Sequence, residues 1–290
     1  MREDLGNRRA PAELRAHAGR ARNALGRIAL VLVLTVICCA AACERNRTPA
    51  TEKREVVVFA AASLTEAFRE MATEFERARP ELRVAFNFAG SAQLRTQLAQ
   101  GARADVFASA DERNMNAAVA EGTVAPTPTL FARNQPVIVV PADNPAQIAA
   151  LADLAKPGVR LVLAAQDVPI GGYAREVLAR ASRAPNYGGD FAARVQRNVV
   201  SEETNVRAAL AKVALGEASA TFVYRTDVTA DVRDRVKIIE IPDEFNVVAE
   251  YYIAPTKNAP NPAGARAFID FVLSDRGQQV LAERGFKPAR

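Results

Sequence analysis

Four helix beginnings and one tyrosine carry the chemistry open to this sequence. The strand-like run "VVVFAA" leads into "SLTE", where Ser63 stands at the mouth of a helical pattern and Glu66 follows three residues on, the spacing of a capping box. The next strand-like run ends in Gly90 and Ser91 ahead of "AQLRTQL", a glycine that lets the backbone turn and then a second hydroxyl. "DVPIGGYA" puts Pro169, Ile170 and two glycines at a helix head, and "EETNV" offers Thr204 or Asn205 as a cap with Val206 as the first helical residue. Tyr224 in "TFVYRTD" closes a strand-like run and adds a phenol.

Taken singly, each is a capped helix or a packed ring. Together they form a set of neutral donors. The first turn of a helix holds N–H groups with no intrahelical partner and a partial positive charge, each terminus worth up to about 2 kcal/mol toward a partly buried anion. An oxyanion held this way needs no lysine or arginine, provided that nearly every oxygen finds a donor in place of lost water.

The inventory of reactive side chains removes other chemistries. Residues 1–42 read as a secretory leader: seven arginines, three acids and then the apolar "IALVLVLTVICCAAAC". That run, Ile28 to Cys43, has 16 residues, short of the ~18–20 of a membrane span. Its "AAAC" end resembles a bacterial lipoprotein cleavage box, with Cys43 as the lipidated residue; Ala40 stands where leucine is usual. Cys38, Cys39, Cys43 and the single histidine, His17, all fall in the leader or at its end. The mature part therefore has no Ser/His/Asp triad, thiolate nucleophile, His-ligated metal or disulfide, and neither a cofactor nor catalysis is expected. The leader also accounts for the basicity, since residues 43–290 keep 31 basic and 30 acidic residues. With no basic stripe interleaved with aromatics, nucleic acid is not an expected partner.

The elements that must hold these groups alternate. Strands are predicted over 56–61, 82–88, 106–108, 136–140, 161–165, 221–224, 237–241 and 250–253. Helices are predicted over 64–78, 92–100, 112–120, 173–182, 190–197, 206–215 and 262–273. This is the pattern of an α/β chain with mainly parallel sheets, whose carboxyl ends open on a shared crevice. Breaks in the pattern near residues 135 and 250 predict a linker over 43–54, a first lobe from 55–135 plus 250–290 and a second from 136–249, with a cleft between them.

In order and at similar spacing, "VVVFAAASLTEAF", "FAGSAQLRTQL", "ADVFASAD", "DVPIGGYA" and "NVRAALAKVALGEASATFVYRTD" resemble the periplasmic molybdate-binding proteins of ABC transporters, from about residue 55 to the C-terminus. The resemblance implies a two-lobed, class II periplasmic binding protein that closes on molybdate or tungstate. Its partners would be an ABC permease and its ATPase, and its place the periplasm or the outer face of the cytoplasmic membrane, as a monomer anchored there by lipid if Cys43 is modified. The family's ligands fall on Ser63 and Ser91 through hydroxyl and amide, on Ile170 and Val206 through the amide, and on Tyr224 through the phenol. Two positions depart from the family: Ile170, where alanine is frequent, and Arg225, where a small residue is common.

Three other readings share this sequence. A ferric-iron-binding protein of the same fold would use adjacent Tyr251 and Tyr252, which strand alternation sends to opposite faces. A porphyrin-pathway deaminase of the same fold needs a cysteine-linked cofactor that the domain cannot hold. A regulator's effector domain needs a helix-turn-helix where this chain has its leader.

Overall fold

β1 (Arg54–Ala61) anchors the first sheet, with Val56, Val58 and Ala60 fully buried. The computed structural model describes residues 53–289; the leader and Cys43 lie outside them. β1 pairs in parallel with β2 (Leu82–Ala89) on one side and β3 (Val106–Ser109) on the other. β10 (Ala249–Pro255) then pairs antiparallel with both β3 and β4 (Thr129–Asn134), giving the order β2-β1-β3-β10-β4. Helices α1 (Thr65–Ala78), α2 (Ser91–Ala99) and α3 (Glu112–Ala120) connect these strands, and α7 (Pro262–Leu273) and α8 (Asp275–Glu283) complete the layer at the C-terminal end.

α1 buries the stripe Ala67, Phe68, Met71, Ala72 and Phe75, the spacing of a one-sided helix. Phe68 and Phe75 both meet Phe268 of α7 edge-on, at 5.7 and 5.5 Å between ring centroids. Each fully buried phenylalanine contributes about 1.5–3 kcal/mol through area alone. The short turn at Ser63 is thereby held between a buried strand and a clamped helix.

The second half has its own strands. β5 (Pro136–Pro141) pairs antiparallel with β8 (Thr221–Tyr224) and β9 (Val236–Ile239). β6 (Leu161–Ala164) and β7 (Val199–Glu203) form a parallel pair that joins the start of β8 through the Val162 N–H and the Ala220 carbonyl, 3.0 Å. α4 (Pro169–Ala181), α5 (Phe191–Arg197) and α6 (Val206–Ala214) cover them.

The sheets are mixed, where mainly parallel ones were expected. β4 and β5 are separated by Gln135 alone, and the chain returns along β10 beside β4. A chain that leaves and re-enters a sheet side by side must run antiparallel there. β4, β7 and α8 had no predicted counterpart, and α4 begins at Pro169, four residues ahead of the predicted Tyr173.

Candidate functional site

The five residues singled out in the sequence converge. Ser63, Ser91, Ile170, Val206 and Tyr224 all line one cavity of about 10 Å³, with Ala110 and Asn205 beside them and no charged side chain in the wall. A space of that size is about that of one water molecule.

Each wall residue is placed by a local rule. Gly90 caps α2 in extended conformation, so Ser91 is its first helical residue and precedes the first intrahelical bond, Leu94 N–H to the Gly90 carbonyl at 3.0 Å. Pro169 opens α4 without needing a partner for its missing N–H, and Ile170 follows it in the first turn. Asn205 caps α6: its side-chain oxygen accepts from Ala208 N–H at 3.0 Å, which leaves the Val206 amide at the first position. Three α-helix N-termini and the turn at Ser63 thus point their amide ends at one small space.

The Ser63 helix start differs from the capping box expected there. Ala62–Leu64 form a 3-10 turn, Leu64 is the residue before α1, and no side chain caps that helix. Thr65 Oγ1 instead donates to the Ala62 carbonyl at 2.7 Å, and Glu66 pairs with Arg207 of α6. Buried Ser63 is left with its hydroxyl 2.9 Å from the Tyr251 hydroxyl. The box fails because two distant partners outcompete the local pairing.

The second serine is equally committed. Ser91 Oγ accepts from the Ala110 N–H at 3.1 Å, so its own proton is available to a guest. Tyr224 is 1% exposed, and its phenol oxygen finds no hydrogen-bond partner among the described residues. Burial and the neighbouring Tyr251 and Tyr173 push that phenol well above its ordinary value, so it stays a neutral O–H donor. An unpaired buried hydroxyl costs about 1–3 kcal/mol, which an acceptor in the cavity would recover.

Contacts cross the cleft on both flanks. Arg113 and Asn114 of α3 donate to the Asp167 carbonyl at 2.8 and 3.1 Å, and Arg207 joins Glu66 to buried Asp227, the latter at 3.3 Å. Gly90 lies so near Thr204 that an added Cβ would stand 2.3 Å from its carbonyl oxygen. The arrangement is closed.

Asp227 carries a pH signature. Burial lifts its carboxyl to about 6, above the ordinary 3.8, with Arg207 opposing the shift. Since the folded state holds the proton more tightly, this group's contribution is complete below pH 3.8 and is lost as pH rises through about 6. Converted at 1.36 kcal/mol per pH unit, the contribution is at most about 3 kcal/mol. Asp227→Asn, which keeps an acceptor for the Tyr224 N–H, is expected to flatten the fall in Tm between about pH 4 and 6. An unchanged slope in a thermal-melt series would refute that.

Two departures noted in the sequence have places. Ile170 is buried in the cavity wall. Arg225 is turned to Glu240, with which it pairs, and is absent from that wall. The adjacent tyrosines split as alternation requires: Tyr251 packs in the core with Phe131 and Phe286, while Tyr252 packs in the other apolar cluster and donates to Glu250 at 3.0 Å. Among the described residues no group of three His, Cys, Asp or Glu is placed to hold a metal ion, and no helix is long and apolar enough to cross a membrane. Sequence reasoning missed the Arg207 clasp and the Ser63–Tyr251 bond. Asp227, three residues past Tyr224, was a readable signal for a turn that binds the Tyr224 N–H, and it does so at 2.9 Å.

Residues 56–287 match the family model described as bacterial extracellular solute-binding protein. The molybdate-binding protein ModA of Mycobacterium tuberculosis is 38% identical over 263 residues, covering 90% of this chain and 96% of that protein. Among solved structures, the periplasmic molybdate-binding protein of Azotobacter vinelandii superposes with a TM-score of 0.68 at 19% identity, covering 80% of this chain and 98% of that one. The sulfate-binding protein SubI of Mycobacterium tuberculosis superposes at 0.73 with 20% identity, covering 81% and 87%. These two structural likenesses bear on the fold alone.

Proposed function

Because this chain belongs to the bacterial extracellular solute-binding protein family, we propose that it captures molybdate, and tungstate with it, through Ser63, Ser91, Ile170, Val206 and Tyr224 and delivers the anion to an ABC permease and its ATPase. The observation that carries this reading is the convergence of those residues, with a buried Tyr224 hydroxyl unpaired among the described residues, on one uncharged cavity. Two serine hydroxyls, one phenol and first-turn amides take the place of the anion's water shell. Donors set at the radius of a large tetrahedral anion leave some bonds unmade around sulfate.

Residues 55–135 with 250–290, and residues 136–249, act in this reading as two lobes that close on the anion. Binding shifts an open–closed population toward the form the permease recognises. Cys43 is the proposed lipid attachment, holding a monomer at the outer face of the membrane; Cys43→Ser is expected to move the chain from the membrane fraction to the soluble one.

The ferric alternative draws no support from Tyr251 and Tyr252, whose side chains lie in separate clusters. Burial also pushes the Tyr251 phenol well above its ordinary value, away from the phenolate iron requires.

Calorimetric titration of the chain from residue 44 with molybdate, tungstate, sulfate, phosphate and ferric citrate tests the reading. Molybdate and tungstate are expected to bind; tight sulfate binding with no response to molybdate would overturn it. Ser63→Ala is expected to weaken molybdate binding ten- to a hundredfold, since a hydrogen bond to a charged group contributes about 1.5–3 kcal/mol. The ligand-free Tm should fall by only a few degrees, because that hydroxyl caps no helix but its loss leaves the buried Tyr251 phenol without its partner, at about 1–3 kcal/mol; such a Tm loss with unchanged affinity would restore a purely structural serine.

A further inference from the structure

We propose that Tyr251 is a positioning residue for the anion site: its phenol donates to Ser63 Oγ and so directs the Ser63 proton at the bound oxyanion. The proposal rests on the molybdate reading above and adds to it a residue that does not line the cavity. Ser63 and Tyr251 are 188 positions apart in sequence, yet their oxygens stand 2.9 Å apart in a buried contact. A hydroxyl has one proton and two acceptor sites, so a Ser63 that receives the Tyr251 proton keeps its own for a guest. If Ser63 instead donated to Tyr251, it would present a lone pair to an anion, and the closed site would repel the oxygen it is built to hold.

Two features support Tyr251 as the donor. Tyr251 is fully buried, and Ser63 Oγ is the acceptor within reach of its proton among the described residues. Its ring is locked edge-on by Phe131 at 6.2 Å and 84° and by Phe286 at 5.4 Å and 89°, with Tyr224 5.6 Å away. Ser91 has the same logic from another source, its oxygen receiving the Ala110 N–H at 3.1 Å. Both serines are thereby pre-oriented as donors before an anion arrives, and such pre-ordering removes a cost from binding.

The register of β10 supports a fixed Tyr251. The pairing steps from Tyr251 with Ala132 to Tyr252 with Leu130, so the extra residue is Phe131 of β4, the ring that packs edge-on against Tyr251. Tyr251 faces the core next to Ser63, and Tyr252 is released to the opposite cluster.

The test is a double-mutant cycle on molybdate affinity with Tyr251→Phe and Ser63→Ala, alongside ligand-free Tm. Tyr251→Phe keeps the ring and its packing and removes only the hydroxyl. It is expected to weaken molybdate binding roughly tenfold in the wild-type background, the effect of one hydrogen bond. In the Ser63→Ala background it should change affinity less than twofold, because Tyr251 acts through Ser63. A purely structural tyrosine would weaken binding equally in both backgrounds, and that outcome, or wild-type affinity in Tyr251→Phe, overturns the proposal while leaving the molybdate reading intact. A wild-type protein that binds neither molybdate nor tungstate overturns both.

Discussion

Gly90→Ala is expected to weaken molybdate binding about a hundredfold while leaving the ligand-free protein folded with nearly its original Tm. Gly90 has φ −63° and ψ 139°, angles open to alanine, so the substitution adds no backbone strain. The added methyl has nowhere to go in the closed form. It would sit 2.3 Å from the Thr204 carbonyl oxygen and 3.6 Å from Val168 Cγ2, both from the segments across the cleft. Since the close neighbour is backbone, no rotamer change relieves it, and the two sides must separate. Forcing a methyl into a packed contact costs about 1–3 kcal/mol, and a cost near the upper end is a factor of about a hundred in affinity. An open form has no such contact, so the penalty falls on the binding-competent population alone. Calorimetry with small-angle scattering checks this: the variant should lose both affinity and molybdate-induced compaction. Wild-type affinity with wild-type compaction would mean that closure does not bring Gly90 against Thr204.

Tyr224→Phe should separate stability from binding in the opposite sense to most core substitutions. The phenol is buried and unpaired among the described residues, while its ring is held against Tyr251 and Tyr173 at 5.6 and 6.4 Å. Removing the hydroxyl keeps that packing and relieves a buried polar group whose isolation costs about 1–3 kcal/mol. The ligand-free Tm is therefore expected to hold, because only the closed form isolates that hydroxyl. Binding should fall ten- to a hundredfold, since the lost bond is one to a charged oxygen worth about 1.5–3 kcal/mol. A thermal melt paired with a molybdate titration decides it. A marked drop in ligand-free Tm would show the hydroxyl paired in the fold, and unchanged affinity would remove Tyr224 from the anion's shell.

Much of the candidate site was legible because its parts are local. Asn205 as a cap, Pro169 at a helix head and Gly90 before Ser91 follow from rules that span four residues or fewer, and the helices start at those residues, whereas the apolar pattern puts the start of α4 at Tyr173. The same locality misled at Ser63. "SLTE" satisfies the capping box on paper, but Glu66 is taken by Arg207, 141 positions on, and Ser63 by Tyr251. A local rule yields when tertiary packing offers each side chain a better partner.

Strand alternation likewise placed Tyr251 and Tyr252 on opposite faces and removed the phenolate pair, a conclusion needing only the two-residue period. It could not say what Tyr251 would touch. The mixed character of the sheets was hidden for a similar reason. Apolar runs of four to eight residues read alike whether their neighbours run parallel or antiparallel, and the crossing at Gln135 sets the direction.

The residue inventory by itself determined which side chains residues 44–290 lack, because a histidine or thiol that is absent cannot be supplied by folding. It also determined that the helix heads would be rich in hydroxyls, caps and small residues. Only the tertiary structure decided that those heads meet at one cavity, that its wall carries no charge, that Tyr251 stands behind Ser63 and that Gly90 touches Thr204 across the cleft. Donor chemistry is written residue by residue, whereas the meeting of donors depends on contacts between segments up to 188 positions apart, which no short-range pattern encodes.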